Sequence, residues 1–261
     1  MHPFNDKYVI AGQGTIGLEI LEQLDGKVDT ILCPIGGGGI IAGIAVAAKG
    51  INPNIKIVGV QTANIPSMQE SMKNGEVTTA FKSTTIADGI AVKTPGDVTF
   101  EIINELVDEV VVVEEDEIAQ GMLFLMENQK VVAEGAGAVT TAALLSGKYV
   151  PKKDENVVCV ISGGNVDVNT LYRVIGTALT KEARRYSFNT VIQDKPGGLA
   201  ELTKIISEYD ANILSANLSR SSMGGALGSL TAEMVLETFN HDHIDKLKVA
   251  ITEAGFEIVE I

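Results

Sequence analysis

Tryptophan is absent from the 261 residues, aromatic residues make up 5%, and only two cysteines occur, Cys33 and Cys159. Each cysteine sits in an apolar strand-like run far from the other, which excludes a disulfide scaffold and reads as a pair of buried thiols in a reducing compartment. Basic side chains are the scarcer charge: 20 Lys and Arg stand against 34 Asp and Glu, for a net charge of −14, and no basic cluster is denser than Arg184 and Arg185. Nucleic-acid binding needs a basic footprint, so no such partner is expected. The longest apolar run, 44–48 with an extension from Ile40 to Ala42, falls well short of the ~20 residues that span a bilayer. No basic segment precedes an apolar core in MHPFNDKYVIAGQG, so the expectation is a cytoplasmic protein without signal or membrane anchor. His2, His241 and His243 form no ligand set, and the last two are expected to be solvated at the start of a helix. Apolar residues at 45%, charged residues at 21% and 27 glycines are the usage of a globular protein, and the length suits one large domain or a medium one plus a small one.

From residue 8 to about residue 180, short β-branched runs alternate with longer helical patterns, the mark of an α/β parallel sheet. The runs 8–11, 28–35, 55–60, 107–113 and 156–161 have buried-strand character, and 15–24, 40–49, 115–130, 136–146 and 168–179 have helical length and spacing. Residues 75–97 show neither period, so they are a functional loop or hide strands. A new unit begins after Lys181, where Tyr186, Phe188, Thr190 and Ile192 alternate onto one face. Its expected elements are strand 186–193, helix 197–209, strand 212–221, glycine-rich turn 223–228, strand 229–239, helix 242–254 and strand 256–261. That order is βαββαβ, the ferredoxin-like arrangement, and it divides the chain into residues 1–181 and 182–261.

Two glycine segments invite a phosphate. Gly12, Gly14 and Gly17 have the spacing of a dinucleotide fingerprint between a strand and a helix, but the following strand ends in glycines and offers Asp29 only at its amino end. A tight strand–helix turn is therefore the stronger reading. Gly36, Gly37, Gly38 and Gly39 follow a strand and precede an apolar helix, so their backbone N–H groups and the helix terminus can face one anion; close packing is the alternative. No Lys-Ser/Thr follows, which excludes an NTPase P-loop. Ser162, Gly163, Gly164 and Asn165 follow a second strand in the same setting, and loops at the carboxyl ends of parallel strands converge on one crevice. There the Ser162 hydroxyl can meet a heteroaromatic nitrogen, or it is simply a helix N-cap.

In order and spacing, His2-Pro-Phe-Asn-Asp, Gly12-Gln-Gly-Thr-Ile-Gly-Leu-Glu, Pro34-Ile-Gly-Gly-Gly-Gly, Ala87-Asp-Gly-Ile-Ala-Val, Glu134-Gly-Ala-Gly-Ala and Ser162-Gly-Gly-Asn resemble L-threonine ammonia-lyase (threonine dehydratase). The tail from Arg185, with Asp194-Lys-Pro-Gly-Gly-Leu-Ala, resembles an ACT regulatory domain. The resemblance implies a tryptophan-synthase β-like fold, PLP fold type II, carrying pyridoxal 5′-phosphate. Gly36, Gly37, Gly38 and Gly39 would hold the phosphate, Ser162 the pyridine nitrogen, Gly163 would lie beside the nitrogen, and Gly89 and Ile90 would line the pocket, with Glu134 near the ring. Ser162 leaves that nitrogen largely neutral, a weaker electron sink that suits loss of a β-hydroxyl. The implied reaction removes the α-proton and β-hydroxyl of threonine or serine, giving 2-oxobutanoate or pyruvate and ammonia, with isoleucine biosynthesis as the implied setting.

The family carries its cofactor on a lysine in a Ser-Phe-Lys segment and grips the substrate carboxylate with a Ser/Asn loop, and neither is present. Lys82 follows Phe81 but no serine. No catalytic residue is therefore assigned. The chain resembles the C-terminal two-thirds of such an enzyme, Met1 reads as an internal methionine, and the isolated chain is expected to be an inactive fragment with an exposed apolar edge that seeks a partner. The stretch 61–67 lacks the carboxylates of metal-binding relatives, so no metal site is expected. ACT domains pair across a dimer and bind a small amino acid near their first strand–helix turn. Here Asp194, Gly197, Gly198, Leu199 and Asn212 are the implied effector residues, a plain packing module is the alternative, and a homodimer or homotetramer is expected. A catalytically dead, amino-acid-binding regulatory fragment is the second reading of the whole chain.

Overall fold

The computed structural model describes residues 2–81, 84–220 and 228–260. Met1, Lys82, most of the turn 223–228 and Ile261 therefore lie outside the described residues. The chain divides into two compact units, Met1–Ile175 and Gly176–Ile261.

The first unit is built on four parallel strands, β1 (Thr30–Pro34), β2 (Lys56–Thr62), β3 (Glu109–Val113) and β4 (Val157–Cys159), in the order β3-β2-β1-β4. Register is set by pairs such as Leu32 with Val58 and with Cys159, and Val60 with Val111. Strand β1 is buried along its whole length, as expected of a strand covered on both faces. Around the sheet stand α1 (Lys7–Gln23), α2 (Gly39–Ile51), α3 (Ser67–Asn74), α4 (Asp97–Leu106), α5 (Glu115–Phe124) and α6 (Gly135–Leu145), and the division between units falls on α7 (Val168–Lys181). Cys33 is fully buried and Cys159 half-buried; burial holds the Cys33 thiol far above its usual range and pushes the Cys159 thiol up to about 11.

Three sequence expectations change. No strand forms at 8–11 and no turn at Gly12: a single helix, α1, runs through all three glycines after Asp6 accepts the Tyr8 N–H. Ile10, Gly14, Gly17 and Leu21 fall on its buried face at helical spacing. Both the dinucleotide fingerprint and the tight turn are thus replaced by helix packing. A Cβ on Gly43 of α2 would lie 2.6 Å from Gly14 N and collide with the Ile10 carbonyl, and a Cβ on Gly17 would lie 3.1 Å from Ile44 O. The glycines let the two backbones touch. Second, α3 and α4 were not expected. Among the described residues of 75–97 there is no strand, only a 3₁₀ turn (Asp88–Ile90), and the segment is fastened by side chains. Ser67 Oγ donates to Val92 O (2.7 Å), Ile86 N–H to Glu115 Oε2 (2.7 Å), and Asn64 Nδ2 to Thr84 O (2.8 Å). Third, the helix expected over 115–130 ends early in a π-helical turn (Leu125–Gln129), closed by Lys130 at φ +58°.

At the amino ends of the strands, the Thr30 and Tyr149 hydroxyls each donate to Glu155 Oε1 (2.5 Å) and Lys152 N–H donates to Oε2 (2.6 Å). These three bonds hold the Glu155 carboxyl down from 4.5 to about 2.

The second unit runs β5 (Arg185–Gln193), α8 (Gly198–Glu208), β6 (Asn212–Ser219), β7 (Ser229–Glu237), α9 (His241–Glu253) and β8 (Ile258–Glu260). Its antiparallel sheet has the order β6-β7-β5-β8. Tyr186, Phe188, Thr190 and Ile192 are buried on one face of β5, as their alternation predicts. His243 is not solvated. Asn240 caps α9 by accepting the His243 N–H (2.9 Å), which folds the ring onto Phe239, where Nδ1 accepts the Phe239 N–H (3.1 Å) and Nε2 lies 2.6 Å from Tyr209 O.

Two measurements follow from the first unit. Gly43→Ala should lower its unfolding free energy by about 1–3 kcal/mol through forced separation of α1 and α2. Gly12→Ala, an exposed helical position with nothing within 4 Å, should raise it by roughly 0.5–1 kcal/mol; urea titrations check both. Because the Glu155 pKa is depressed on folding, its stabilisation is complete above its ordinary value of 4.5 and is lost as pH falls towards about 2. Thermal melts between pH 6 and pH 3 should show a steeper fall in Tm for the natural chain than for Glu155→Gln.

Candidate cofactor site

Strand β1 ends at Pro34, and Ile35 N–H still pairs with Val60 O (2.8 Å) before the chain enters the four glycines. Gly38 caps α2 at φ +96°, a conformation that costs a side chain dearly. The first intrahelical bond is Ala42 N–H to Gly38 O (3.0 Å), so the preceding N–H groups of the first turn have no helical partner and carry the positive end of the helix dipole.

The loop is hemmed in on several sides. A Cβ on Gly37 would fall inside the Phe4 ring, one on Gly39 would lie 3.1 Å from Phe4 Cβ, one on Gly36 3.0 Å from Ile90 Cα, and one on Gly38 2.7 Å from Ile103 Cδ1. Both the phosphate cradle and the close-packing alternative therefore describe the same residues: the glycines are needed for packing, and they also open a cavity.

That cavity has a volume of about 300 Å³ and is walled by Gly36–Gly39, Gly89, Ile90, Glu134, Ser162 and the Pro3–Phe4 segment. The two glycine loops, distant in sequence, thus meet at the carboxyl end of the sheet. Ser162 does not cap α7. Asp167 does, accepting Asn169 N–H (2.9 Å) and Thr170 N–H (3.0 Å), which leaves the Ser162 hydroxyl on the cavity wall.

Glu134 ties the walls together. Its Oε2 accepts the Asn165 N–H (2.9 Å), and its own N–H donates to Gly163 O (3.1 Å). A Cβ on Gly89 would lie 3.0 Å from Glu134 Oε1, and one on Gly163 would collide with it. Gly89 and Gly163 are glycines because this carboxylate occupies the space beside them. Among the described cavity walls Glu134 is the one charged side chain, so an anion here is met by peptide dipoles and a helix terminus rather than by an ion pair. A cavity lined by a glycine loop, a neutral hydroxyl, apolar side chains and one carboxylate fits a phosphate-bearing heteroaromatic ring, which is the chemistry of pyridoxal phosphate.

Sequence reasoning gave no role to Phe4, although it stands in the His2-Pro-Phe-Asn-Asp segment, and missed Thr99, whose hydroxyl lies 2.6 Å from Gly37 O and which stands in no motif. The place of Glu134 beside the ring was implied only by resemblance. The small residues that follow it, Gly135 to Ala138, pack closely in the structure, where a Cβ on Gly135 would collide with Ile86 O and one on Gly137 with Gly163 O.

In the second unit, Asp194, Gly197, Gly198 and Leu199 share the β5–α8 turn. Asp194 is paired with Arg220 (3.0 and 3.3 Å), Gly197 takes φ +93°, and a Cβ on Gly198 would collide with Gln193 O. Asn212 opens β6 and donates to Glu237 Oε2 (3.2 Å). Among the described residues no group of three or more His, Cys, Asp or Glu is placed to hold a metal ion, and no helix is long and apolar enough to cross a membrane.

The chain is similar to known proteins. Over 258 residues the chain is 48% identical to an L-threonine ammonia-lyase of Thermotoga maritima, covering 99% of this chain and 64% of that protein. Over 177 residues it is 52% identical to the catabolic L-threonine dehydratase TdcB of Escherichia coli, covering 67% of this chain and 53% of that one. The structure of the processed form of threonine deaminase isoform 2 from Solanum lycopersicum superposes with a TM-score of 0.63 at 37% identity, over 68% of this chain and 52% of that one. The chain thus spans less than two-thirds of the length of these curated relatives. The pyridoxal-phosphate dependent enzyme family matches residues 1–163, the stretch that holds the first glycine loop, Gly89, Glu134 and, at its end, Ser162 and Gly163. With that match and this cavity, the chain belongs to the family of pyridoxal-phosphate dependent enzymes.

Proposed function

We propose that this chain is the cofactor-holding and regulatory portion of an L-threonine ammonia-lyase. The observation that carries the reading is the meeting of Gly36–Gly39, Glu134 and Ser162 around one cavity, in a chain 48% identical along almost its whole length to a protein of that activity. Bound there, pyridoxal phosphate would supply the electron sink for loss of the α-proton and β-hydroxyl of threonine, with 2-oxobutanoate and ammonia as products, or of serine, with pyruvate and ammonia.

The roles of this chain's own residues follow from their placement. The N–H groups of Gly36, Gly37, Gly38 and Gly39 hold the phosphate without any charged side chain. The Ser162 hydroxyl can donate to the pyridine nitrogen and leave it uncharged. Gly89 and Gly163 keep the ring's flanks thin where Glu134 fastens the walls. None of the lysines in these 261 residues stands in a Ser-Phe-Lys setting, so the group that removes the α-proton comes from outside this chain, and the chain alone does not turn substrate over. That same lack favours the second reading, a regulatory fragment that binds an amino acid and catalyses nothing.

The second unit reads as an ACT domain. Support comes from its βαββαβ order, its β6-β7-β5-β8 sheet, and the glycine-bearing turn 194–199, whose backbone can receive a carboxylate. Strand β6 is an edge with Leu214 and Leu218 exposed, a surface that suits assembly into a homodimer or homotetramer.

The reading is tested by 2-oxobutanoate release from L-threonine. The chain alone should give none. Mixed with the portion of the Thermotoga maritima enzyme that it does not cover, it should release 2-oxobutanoate, and Ser162→Ala in this chain should cut that rate at least about tenfold. If the mixture is inert although each part is folded and the two associate, the regulatory-fragment reading replaces this one. Borohydride reduction after incubation of the chain alone with pyridoxal phosphate should leave no single stoichiometric lysine adduct by peptide mapping. For the second unit, millimolar isoleucine, valine or serine should raise the Tm of the full chain by a few degrees, and Asn212→Ala should abolish the shift.

A further inference from the structure

We infer that Thr99, which stands outside the cavity, is a positioning residue that sets the direction of the cradle's peptide groups. The inference rests on the reading of Gly36–Gly39 as a phosphate cradle. Thr99 lies in the first turn of α4 and is fully buried. Its Oγ1 is 2.6 Å from Gly37 O and 3.1 Å from Gly96 O. A hydroxyl has one proton to give, and Gly96 O already accepts the Phe100 N–H (2.9 Å). The proton therefore goes to the nearer acceptor, the buried Gly37 carbonyl.

A trans peptide holds its C=O and the next N–H in opposite directions. Fixing the Gly37 carbonyl against α4 consequently turns the Gly38 N–H away from α4. Gly36 to Gly39 line the cavity and Thr99 does not, so the side away from α4 is where an anion is received. The same residue also bounds Gly38 sterically: a Cβ there would lie 2.9 Å from Thr99 Cβ. Helix α4 is held to the N-terminal segment in turn, because Asn5 Oδ1 accepts the Val98 N–H (3.0 Å) and Asn5 Nδ2 donates to Asp97 Oδ1 (2.5 Å). The loop is thus gripped between Phe4 and Thr99. Without the hydroxyl, the Gly37 carbonyl loses its partner in a buried place, and the peptide regains the freedom to rotate its oxygen towards the anion that its neighbour's N–H should meet.

Thr99→Val keeps the shape and removes the donor, whereas Thr99→Ser keeps the donor. Binding of pyridoxine 5′-phosphate and of pyridoxine, which share the ring and differ by the phosphate, is measured by calorimetry on the full chain and both variants. Neither ligand carries an aldehyde, so surface lysines cannot trap it. The expected result is that Thr99→Val loses about tenfold in affinity for pyridoxine 5′-phosphate with pyridoxine unchanged, while Thr99→Ser stays within about twofold of the natural chain. Unchanged affinities for both ligands in Thr99→Val overturn the inference and leave the cradle standing. A parallel fall in both affinities also overturns it, since that is general loosening of the fold. A natural chain that binds the two ligands equally overturns the cradle reading, and the role of Thr99 with it.

Discussion

The passage from β1 into α2 is made by residues without side chains, and the carboxyl end of the sheet is organised around that bareness. Four successive peptide groups are brought close to Phe4, Ile90 and Ile103, and no other residue type could occupy the path at Gly37 or Gly38 without displacing a neighbour. Backbone groups that approach so closely are available to a ligand only if something else fixes their direction. Here that is done from both sides: by the hydrophobic lid of the N-terminal segment and by the first turn of α4.

The two ends of the parallel sheet treat their free backbone groups in opposite ways. At the amino ends, carboxylates close the chain: Asp29 accepts the Asn156 N–H (2.7 Å), Asp108 the Ile57 N–H (2.7 Å), and Glu155 the Lys152 N–H with two hydroxyls. At the carboxyl ends the N–H groups opening α2 are left without helical partners. Three carboxylates are engaged at the far end, and Glu134, which lines the cavity, accepts the Asn165 N–H through Oε2. Of the acidic residues in this chain, Glu134 alone lines the cavity bounded by the four glycines, among the described residues.

Much of this was legible in the sequence, and the misses have physical reasons. The strands at 30–34, 56–62 and 109–113 declare themselves by β-branched apolar runs, and the glycine loops by their place between strand and helix. Gly14 and Gly17 misled because a glycine inside a helix is usually a defect; it becomes favourable only when a second helix, here with Gly43 and Ile44 facing them, arrives to use the space, and that partner is not a local property of the sequence, while Gly12 has no such neighbour. Helix α3 has a polar sequence, and residues 84–97 are held by bonds from Ser67, Asn64 and Glu115, none of which has a periodic signature. His243 looked solvated because it is flanked by charge, yet the cap at Asn240 turns it inward. That Ser162 and the four glycines share one crevice was readable from their place after parallel strands; the contacts of Thr99 and Phe4 with the loop were not, since they depend on where tertiary packing delivers them.

A cradle made of missing side chains has a mutational character of its own. Every amino-acid-changing single-base substitution in a glycine codon introduces an atom at Cβ, so Gly37, Gly38 and Gly163 have no conservative neighbour in the genetic code. A binding site built on an arginine could drift to lysine and keep part of its grip. This one can only be kept or lost, and variation in ligand preference has to arise from the residues around it, such as Phe4, Ile90 and Ser162, which can change size without entering the space the backbone needs.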